Sequence, residues 1–323
     1  MGRYVAGRIV QSLIVLAIMS FVVFTLMGLM PGDPIDIMVA SNPELTPADA
    51  QRLKRLHGLD LPIWERYWNW LTAALGGDFG YSRNFNRPVF EILLPRLGNT
   101  LVLLGISSAL AIAIAIPLGI MAAVRPHSLA DNTINLFCFA GISMPPFWLA
   151  LLFILLFAVA LGILPAGGMG SLDGGGLLDR ARFLVLPVAT LALASLASYT
   201  RFMRASMMEA LRQDYVRTAR AKGVSPRRVV LGHALRNALL PVVTIVALDF
   251  GSLFSGALIT ETMFAYLGMG KLIYDSILGN DFNLALVALL FATFVVMVGN
   301  LLADIGYAAL DPRISYRSLE AQR

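Results

Sequence analysis

The stretch RQDYVRTARAKGVSPRRVVLGHALR, residues 212–236, is a basic, polar segment set between two apolar windows. The flanking windows, residues 183–200 and 237–248, contain no charged residue. Four more charge-free windows cover residues 9–32, 97–124, 132–172 and 282–303. Most of the six are long enough to cross about 30 Å of hydrocarbon as an α-helix. We therefore predict an all-α, polytopic membrane protein with six transmembrane helices.

The composition agrees with a membrane setting. Hydrophobic residues make up 58% of the 323 residues and charged residues 14%, which is too apolar for an ordinary soluble domain. The first apolar window is longer than the roughly 7 to 15 residues of a signal-peptide core, so we predict a retained first helix. The single cysteine, Cys138, lies in an apolar window and excludes a disulfide framework within the chain.

Positive charge predicts the orientation. The segment from residue 201 to residue 236 carries nine Lys and Arg residues, opposed only by Glu209 and Asp214. Six spans place this segment on one side together with the remaining juxtamembrane arginines, which are Arg3, Arg8, Arg125, Arg313, Arg317 and Arg323. The positive-inside rule makes that side cytoplasmic, so both termini are predicted to be cytoplasmic.

The window at residues 132–172 leaves the number of spans open. It is charge-free for 41 residues and contains Pro145 and Pro146, so it fits either one broken span or two short ones. Two spans would put the basic cluster outside, against the charge rule. We therefore favour one broken span.

The outer segment, residues 31–95, is predicted to be an ordered cap. Thr46, Pro47 and Asp49 form a helix-capping pattern, and Gly58 is expected to end that helix. A second helix over residues 63–75 places Ile63, Tyr67, Trp68, Leu71 and Leu75 near one stripe. That stripe fits either the membrane interface or packing on the outer surface of the protein.

One carboxylate, Asp249, lies deep in an apolar region. A charge at the bilayer centre costs at least about 2.5 kcal/mol, so the side chain is expected to face a cavity or a polar partner. Asp249, with Ser252 one turn later, is our candidate for the translocation pathway. The alternative is a structural hydrogen bond to a neighbouring helix, and the sequence leaves both open.

Motifs for enzymatic chemistry are missing from the sequence. It lacks the GxxxxGK[ST] phosphate loop and HExxH, and His57, His127 and His233 lie in different segments. We expect no catalytic site, no metal and no ATP bound by this chain. Basic residues beside membrane spans are explained by topology, so no nucleic-acid partner is expected.

The basic segment is predicted to form an elbow. A polar helix should continue from the fourth span to Gly223, where glycine accepts the left-handed conformation. Ser225 and Pro226 then suit the start of a second helix. The elbow would lie on the cytoplasmic surface.

The spacing of this elbow resembles the EAA loop of permease subunits of binding-protein-dependent ABC importers. Ala219, Gly223 and Leu235 match that pattern, whereas Arg217, His233 and Arg236 depart from it. The string DYVRTARAKGVSPRRVVLGHALRNALLPVV is similar to the dipeptide, oligopeptide and nickel permease branch. Further motifs of the branch occur in order along the chain: MPGDP (30–34), HGLDLP (57–62), GDFGYS (77–82), RPVFEIL (87–93), ISMPPFWLALL (142–152), ITETMF (259–264) and ALDPRI (309–314).

The resemblance implies a type I ABC importer permease fold in a bacterial inner membrane. Residues 1–95 would be the first span plus the periplasmic segment, 96–311 the core with its coupling loop at 207–238, and 312–323 a cytoplasmic tail. The implied partners are a second permease subunit, two ATPase subunits that bind ATP and Mg²⁺, and a periplasmic solute-binding protein. The implied ATPase contacts are Asp214, Tyr215, Arg217, Ala219, Arg220, Lys222 and Gly223.

The implied function is uptake of peptides or a related small polar solute, driven by partner ATPases through the elbow. The alternative is a secondary, ion-coupled transporter without an ATPase, which would need an ion-coupling constellation. An intramembrane enzyme would need paired catalytic residues at bilayer depth, and the sequence offers none.

Overall fold

The structure is a computed structural model that describes residues 2–29, 46–56, 58–171 and 174–310. The MPGDP motif, most of ALDPRI and the tail at 312–323 lie outside the described residues. The helices are α1 (Gly2–Gly28), α2 (Pro47–Leu56), α3 (Ile63–Leu75), α4 (Val89–Val124), α5 (Leu129–Ser143), α6 (Pro146–Phe153), α7 (Leu177–Leu211), α8 (Asp214–Ala221), α9 (Pro226–Arg228), α10 (Leu235–Leu248), α11 (Phe250–Met263), α12 (Met269–Leu278) and α13 (Phe282–Leu310).

Four shorter elements complete the described chain. Strands β1 (Tyr81–Ser82) and β2 (Arg87–Pro88) form an antiparallel hairpin just before α4. Two π-helical segments, Ile154–Ala160 after α6 and Val229–Ala234 between α9 and α10, widen the helices that they join. Five of the helical stretches are long and apolar enough to cross a membrane, and α5 with α6 forms a further pair bent by 102°.

Helices α4 and α7 run parallel through the centre of the bundle. Leu103 shares a hydrophobic cluster with Val188. Further along both helices, Ala115 shares a cluster with Tyr199, and Gly119 lies against Met203. The numbers of the contacting residues increase together along the two helices, so the C-terminal ends of both helices lie on the same side of the membrane. The chain between them must therefore cross the membrane an odd number of times.

The bent pair α5 and α6 supplies that crossing. Arg204 bonds Asp131 near the start of α5, and the Arg201 guanidinium carbon lies 4.9 Å from the centre of the Phe139 ring. At the other end of the pair, Ala150 packs in a cluster with Leu186 near the start of α7. The pair thus runs antiparallel to α7 over its full depth. The prediction of one broken span is confirmed, and the alternative of two short spans is excluded.

The fifth and sixth crossings follow the same pattern. Ala238 of α10 shares a cluster with Met203, whereas Ala257 of α11 shares one with Leu191. Together α10 and α11 therefore cross antiparallel to α7, with Asp249 at their junction. Helix α13 returns to the side on which α1 begins. The predicted polytopic all-α fold with six crossings is confirmed, and the basic segment and both described ends of the chain share the cytoplasmic side.

The outer cap forms largely as predicted. Thr46 Oγ1 donates to Asp49 Oδ2 at 2.6 Å, and Asp49 N donates back to Thr46 Oγ1 at 3.3 Å. These hydrogen bonds hold the pKa of the Asp49 carboxyl below its ordinary value. Helix α2 then ends before Gly58, whose φ is +63°.

Helix α3 packs on the protein through part of the predicted stripe. Ile63, Tyr67 and Trp70 contact the cluster formed by α1 and α13, and Ser20 Oγ lies 2.6 Å from Tyr67 OH. Trp68, which we had assigned to this stripe, is 63% exposed. Packing on the protein, one of the two alternatives for the predicted stripe, is thus seen for Ile63 and Tyr67, and the packed face also includes Trp70.

A buried carboxylate joins the outer ends of three elements. Glu261 of α11 is fully buried and accepts a hydrogen bond from Thr100 Oγ1 of α4 at 2.6 Å. It also accepts from the backbone N–H of Lys271 at 3.1 Å, in the first turn of α12. Thr100 Oγ1 in turn accepts from Met269 N at 2.7 Å. A Cβ at Gly268 would overlap the carboxylate, so this approach requires glycine.

We expect Thr100→Val to loosen this outer junction. The change removes the hydroxyl that both donates to Glu261 and accepts from α12, leaving buried groups without partners at a cost of about 1–3 kcal/mol. Thermal unfolding of the purified protein in detergent measures the loss. The matched control is Thr293→Val, since the Thr293 hydroxyl bonds only Leu289 O within its own helix. Equal shifts in the two variants would contradict the role of Thr100.

Candidate functional site

The elbow consists of a short helix between two membrane helices. Helix α7 ends at Leu211, and α8 begins at Asp214 after a two-residue break. The fourth span was predicted to continue unbroken to Gly223, and that prediction is wrong by this break. Gly223 follows α8 with a φ of +76°, as expected for the turn. Ser225 stands at the N-cap position of α9, although its side chain makes no capping hydrogen bond.

One face of α8 is buried in the protein itself. Val216 is fully buried and Ala219 is 6% exposed. Both belong to a cluster that includes Met203 and Met207 of α7 and Val242 of α10. The small Ala219 side chain therefore lets α8 approach its own neighbouring helices. This packing attaches the elbow to the fourth and fifth spans at once.

The opposite face of α8 is open. Asp214, Tyr215, Arg217, Arg220, Lys222 and Gly223 are all exposed. Arg217 Nη1 lies 3.2 Å from Asp214 Oδ1, and both side chains remain largely in solvent. An exposed ion pair of this kind contributes little to stability. Six of the seven predicted contact residues thus form one accessible surface, whereas Ala219 lies behind it.

A buried ion pair near the elbow was missed by the sequence reasoning. Arg204 donates from Nε to Asp131 Oδ1 at 2.6 Å and from Nη2 to Oδ2 at 2.7 Å. Asp131 is 1% exposed and also accepts from His127 N at 2.8 Å. The pair ties α5 to α7 close to the cytoplasmic surface. The sequence feature nearest to this pair is the helix-capping residue Ser128, which accepts a hydrogen bond from Asp131 N at 3.2 Å at the start of α5.

Asp249 lies between α10 and α11, beside the middle of α7. Tyr199 OH donates to Asp249 Oδ2 at 2.9 Å, and Ser195 Oγ donates to the same oxygen at 3.4 Å. The structure thus contains the hydrogen bonds to a neighbouring helix that one of our two interpretations predicts. Ser252 lies in α11, and its side chain is outside the described residues. Neither residue's contact with a solute is tested by these hydrogen bonds.

Metal ligands are not gathered in the part of the chain that the structure describes. No group of three or more His, Cys, Asp or Glu side chains there is placed to hold an ion. Cys138 is 6% exposed and lies within α5. The chemistry available at the elbow and at Asp249 is therefore hydrogen bonding and charge pairing.

Six crossings, an exposed cytoplasmic elbow and a polar centre define a multi-pass membrane protein. The chain matches the family described as "Binding-protein-dependent transport system inner membrane component" over residues 115–316. Residues 1–104 match its N-terminal counterpart, "Binding-prot-dependent transport system membrane comp, N-term". The protein belongs to this family and is a permease component of the inner membrane.

Named relatives cover nearly the whole chain. The oligopeptide transport system permease protein AppB of Bacillus subtilis (strain 168) is 40% identical over 318 residues, which are 98% of this chain and 100% of the relative. The dipeptide transport system permease protein DppB of Escherichia coli (strain K12) is 34% identical over 333 residues, covering 96% and 97%. The glutathione transport system permease protein GsiC of Escherichia coli (strain K12) is 37% identical over 320 residues, covering 98% and 100%.

Proposed function

We propose that this chain forms half of the membrane pathway of an ATP-driven importer of peptides or a related small polar solute. The observation that carries the proposal is the elbow, which is exposed on one face and packed into the fourth and fifth spans on the other. Such a surface can receive force from a soluble partner and pass it to membrane helices. The peptide class is supported by relatives that are named as oligopeptide and dipeptide permeases.

The proposed partners follow from that role. A second permease subunit completes the pathway, a periplasmic protein delivers the solute, and two ATPase subunits bind ATP and Mg²⁺ and hydrolyse the nucleotide. The outer cap faces the side from which the solute arrives. This chain would bind no nucleotide, in keeping with a sequence that lacks the phosphate loop.

The elbow would be the ATPase contact. Asp214, Tyr215, Arg217, Arg220 and Lys222 present charge and one aromatic ring to the cytoplasm. Arginine and lysine at such a surface can form charge-assisted hydrogen bonds with acidic groups of a partner. Ala219 would support this contact indirectly, because its small side chain lets α8 pack closely against Met203 and Met207.

The polar centre of the bundle would lie on or beside the pathway. Asp249 is half-buried at bilayer depth, and Ser252 follows on the next helix. ATP-driven rocking of the fourth and fifth spans would move Asp249 against Tyr199 and alternate access between the two sides.

Copurification and flux test the proposed function. The tagged chain, extracted gently from native membranes, is expected to bring with it a second permease and two ATPase subunits. In liposomes the complex should accumulate solute only when ATP and the binding protein are supplied. Flux driven by a proton gradient through this chain alone, without ATP, would instead establish a secondary transporter.

A further inference from the structure

The third crossing is interrupted where two prolines follow α5. Pro145 and Pro146 have no backbone N–H, so the carbonyl of Ile142 loses the donor four residues ahead. Met144 and Pro145 have extended backbone, with ψ of 121° and 138°. This geometry carries the Phe147 N–H away from the carbonyl oxygen of Ser143, to which it would donate in a continuous helix. We call residues 142–146 the break.

The remaining N–H groups at the break do not replace those donors. Met144 N donates to Gly141 O at 3.3 Å, and Trp148 N donates to Pro145 O at 3.0 Å rather than to Met144 O. Helical N–H groups four residues ahead therefore do not donate to the carbonyl oxygens of Ile142, Ser143 and Met144. These groups accept hydrogen bonds and cannot donate them.

The break lies near the middle of the membrane. A Cβ placed on Gly141 would lie 3.3 Å from Cβ of Ala197, and the backbone oxygen of Leu193 is 4.0 Å away. Leu193 is close to the midpoint of the charge-free window of α7, which Arg182 and Arg201 bound. Tyr199, which bonds Asp249, lies less than two turns further along α7. The break and the polar centre are thus at similar depth.

The break is also open to its surroundings. Ile142 is 48% exposed and Met144 37%, and Ser143 and Pro145 are exposed as well. Irregular backbone at bilayer depth is not found facing lipid, because each unsatisfied group costs several kcal/mol there. The open side must therefore face water or another protein.

A cavity adjoins the break. It has a volume of about 400 Å³ and is lined on one side by Gly141, Met144 and Leu149 and on the other by residues of α4 and α7, including Thr200. The volume is within the range of small-molecule sites. The buried Thr200 hydroxyl lies in the wall of this cavity. A mainly apolar space beside carbonyl oxygens that accept hydrogen bonds suits a ligand with both apolar and donor groups.

Resting on the proposed function above, we propose that the break lines the aqueous pathway and is a solute subsite. Its carbonyl oxygens accept hydrogen bonds from ammonium or amide N–H groups, and apolar parts of the solute enter the cavity. Every peptide has such N–H groups whatever its side chains, so recognition by backbone carbonyls is independent of sequence. The flexible Met144 thioether suits a cavity that receives side chains of different shape.

Thiol labelling of the assembled transporter tests this proposal. In a Cys138→Ala background, Ser143→Cys is treated with a charged, membrane-impermeant methanethiosulfonate in the complete complex, with and without ATP. We expect modification in at least one of these states. Ile14→Cys is the control, since Ile14 is 54% exposed near the middle of the unbroken helix α1, and we expect no modification there. Met144→Cys replaces Ser143→Cys should the latter fail to assemble.

Protection by solute is the second measurement. Dialanine, trialanine and S-methylglutathione are first offered to the wild-type complex, and the one it accumulates is used. At about ten times its half-saturating concentration, that solute is expected to slow modification about tenfold, as simple occupancy requires. The control modification of free thiol in solution should keep its rate.

The outcomes separate this proposal from the proposed function. A wild-type complex that accumulates solute while the cysteine at the break reacts only with membrane-permeant reagents, or with none, overturns the pathway assignment. Modification that solute does not slow overturns the subsite. A wild-type complex without ATP-dependent uptake contradicts the proposed function, and the accessibility of the break is still decided by the labelling.

Discussion

Replacing Gly223 with aspartate is expected to stop transport while leaving the protein inserted and folded. A Cβ at Gly223 meets nothing within 4 Å, so the side chain fits in space. The backbone is held at a φ of +76°, however, and an L-residue there costs about 1–2 kcal/mol. The new carboxylate also changes the charge of a surface whose cations would pair with the ATPases. Repulsion at an interface hot spot costs about 2 kcal/mol or more, which is roughly a thirtyfold loss of affinity.

The measurement compares three complexes reconstituted in parallel. Gly223→Asp should lose solute uptake and the stimulation of ATP hydrolysis, with membrane insertion judged from protein recovered in detergent. Gly223→Asn is the matched control, because asparagine has a similar size and accepts positive φ without adding charge. We expect the asparagine variant to keep most of its activity. Normal uptake by Gly223→Asp would exclude a role for this turn in coupling.

The second large effect is expected at the buried ion pair. Asp131 is 1% exposed and its partner Arg204 is 22% exposed. Removing one member of a buried pair leaves an uncompensated charge and costs about 3–5 kcal/mol. Asp131→Ala is therefore expected to lower the thermal unfolding midpoint strongly and to reduce the amount of folded protein in the membrane.

A double-mutant cycle separates the pair from its surroundings. Asp131→Leu with Arg204→Met removes both charges while filling similar space, and we expect it to recover much of the stability lost by either single change. The control pair is Arg87 and Glu91, which lie 3.0 Å apart but are both largely exposed, and whose removal should change stability little. Additive effects of the Asp131 and Arg204 changes would show that the two residues act independently.

Structural features that are determined by residues close together in the sequence were predicted correctly. The capping box of Thr46 and Asp49, the helix Ile63–Leu75 and the turn at Gly223 each depend on neighbouring residues. The six crossings followed from charge-free windows and from the placement of arginine. These signals are local because helix caps, glycine turns and membrane insertion each act on a short stretch of chain.

Features that depend on distant contacts were not predicted. Arg204 and Asp131 are 73 residues apart, and the pattern gave no reason to pair them. Glu261 was given no role from the sequence, although it joins α11 to Thr100 of α4. The stripe predicted on α3 did not include Trp70, which packs against α1 and α13, because helical periodicity gives a stripe but not its rotation against a neighbour.

The parallel packing of α4 and α7 has a mechanical consequence. Helix α7 is continuous over 35 residues, so it is about 52 Å long at 1.5 Å per residue. It carries the elbow at one end and the apolar contacts with Leu186 at the other. If α7 rotates as a rigid body about a point near Ser195, a tilt of about 10° would displace its two ends by about 4–5 Å in opposite directions. This displacement is close to the pitch of one helical turn. If the elbow is the ATPase contact proposed above, a small movement on the cytoplasmic surface would in this way reach the outer end of α7.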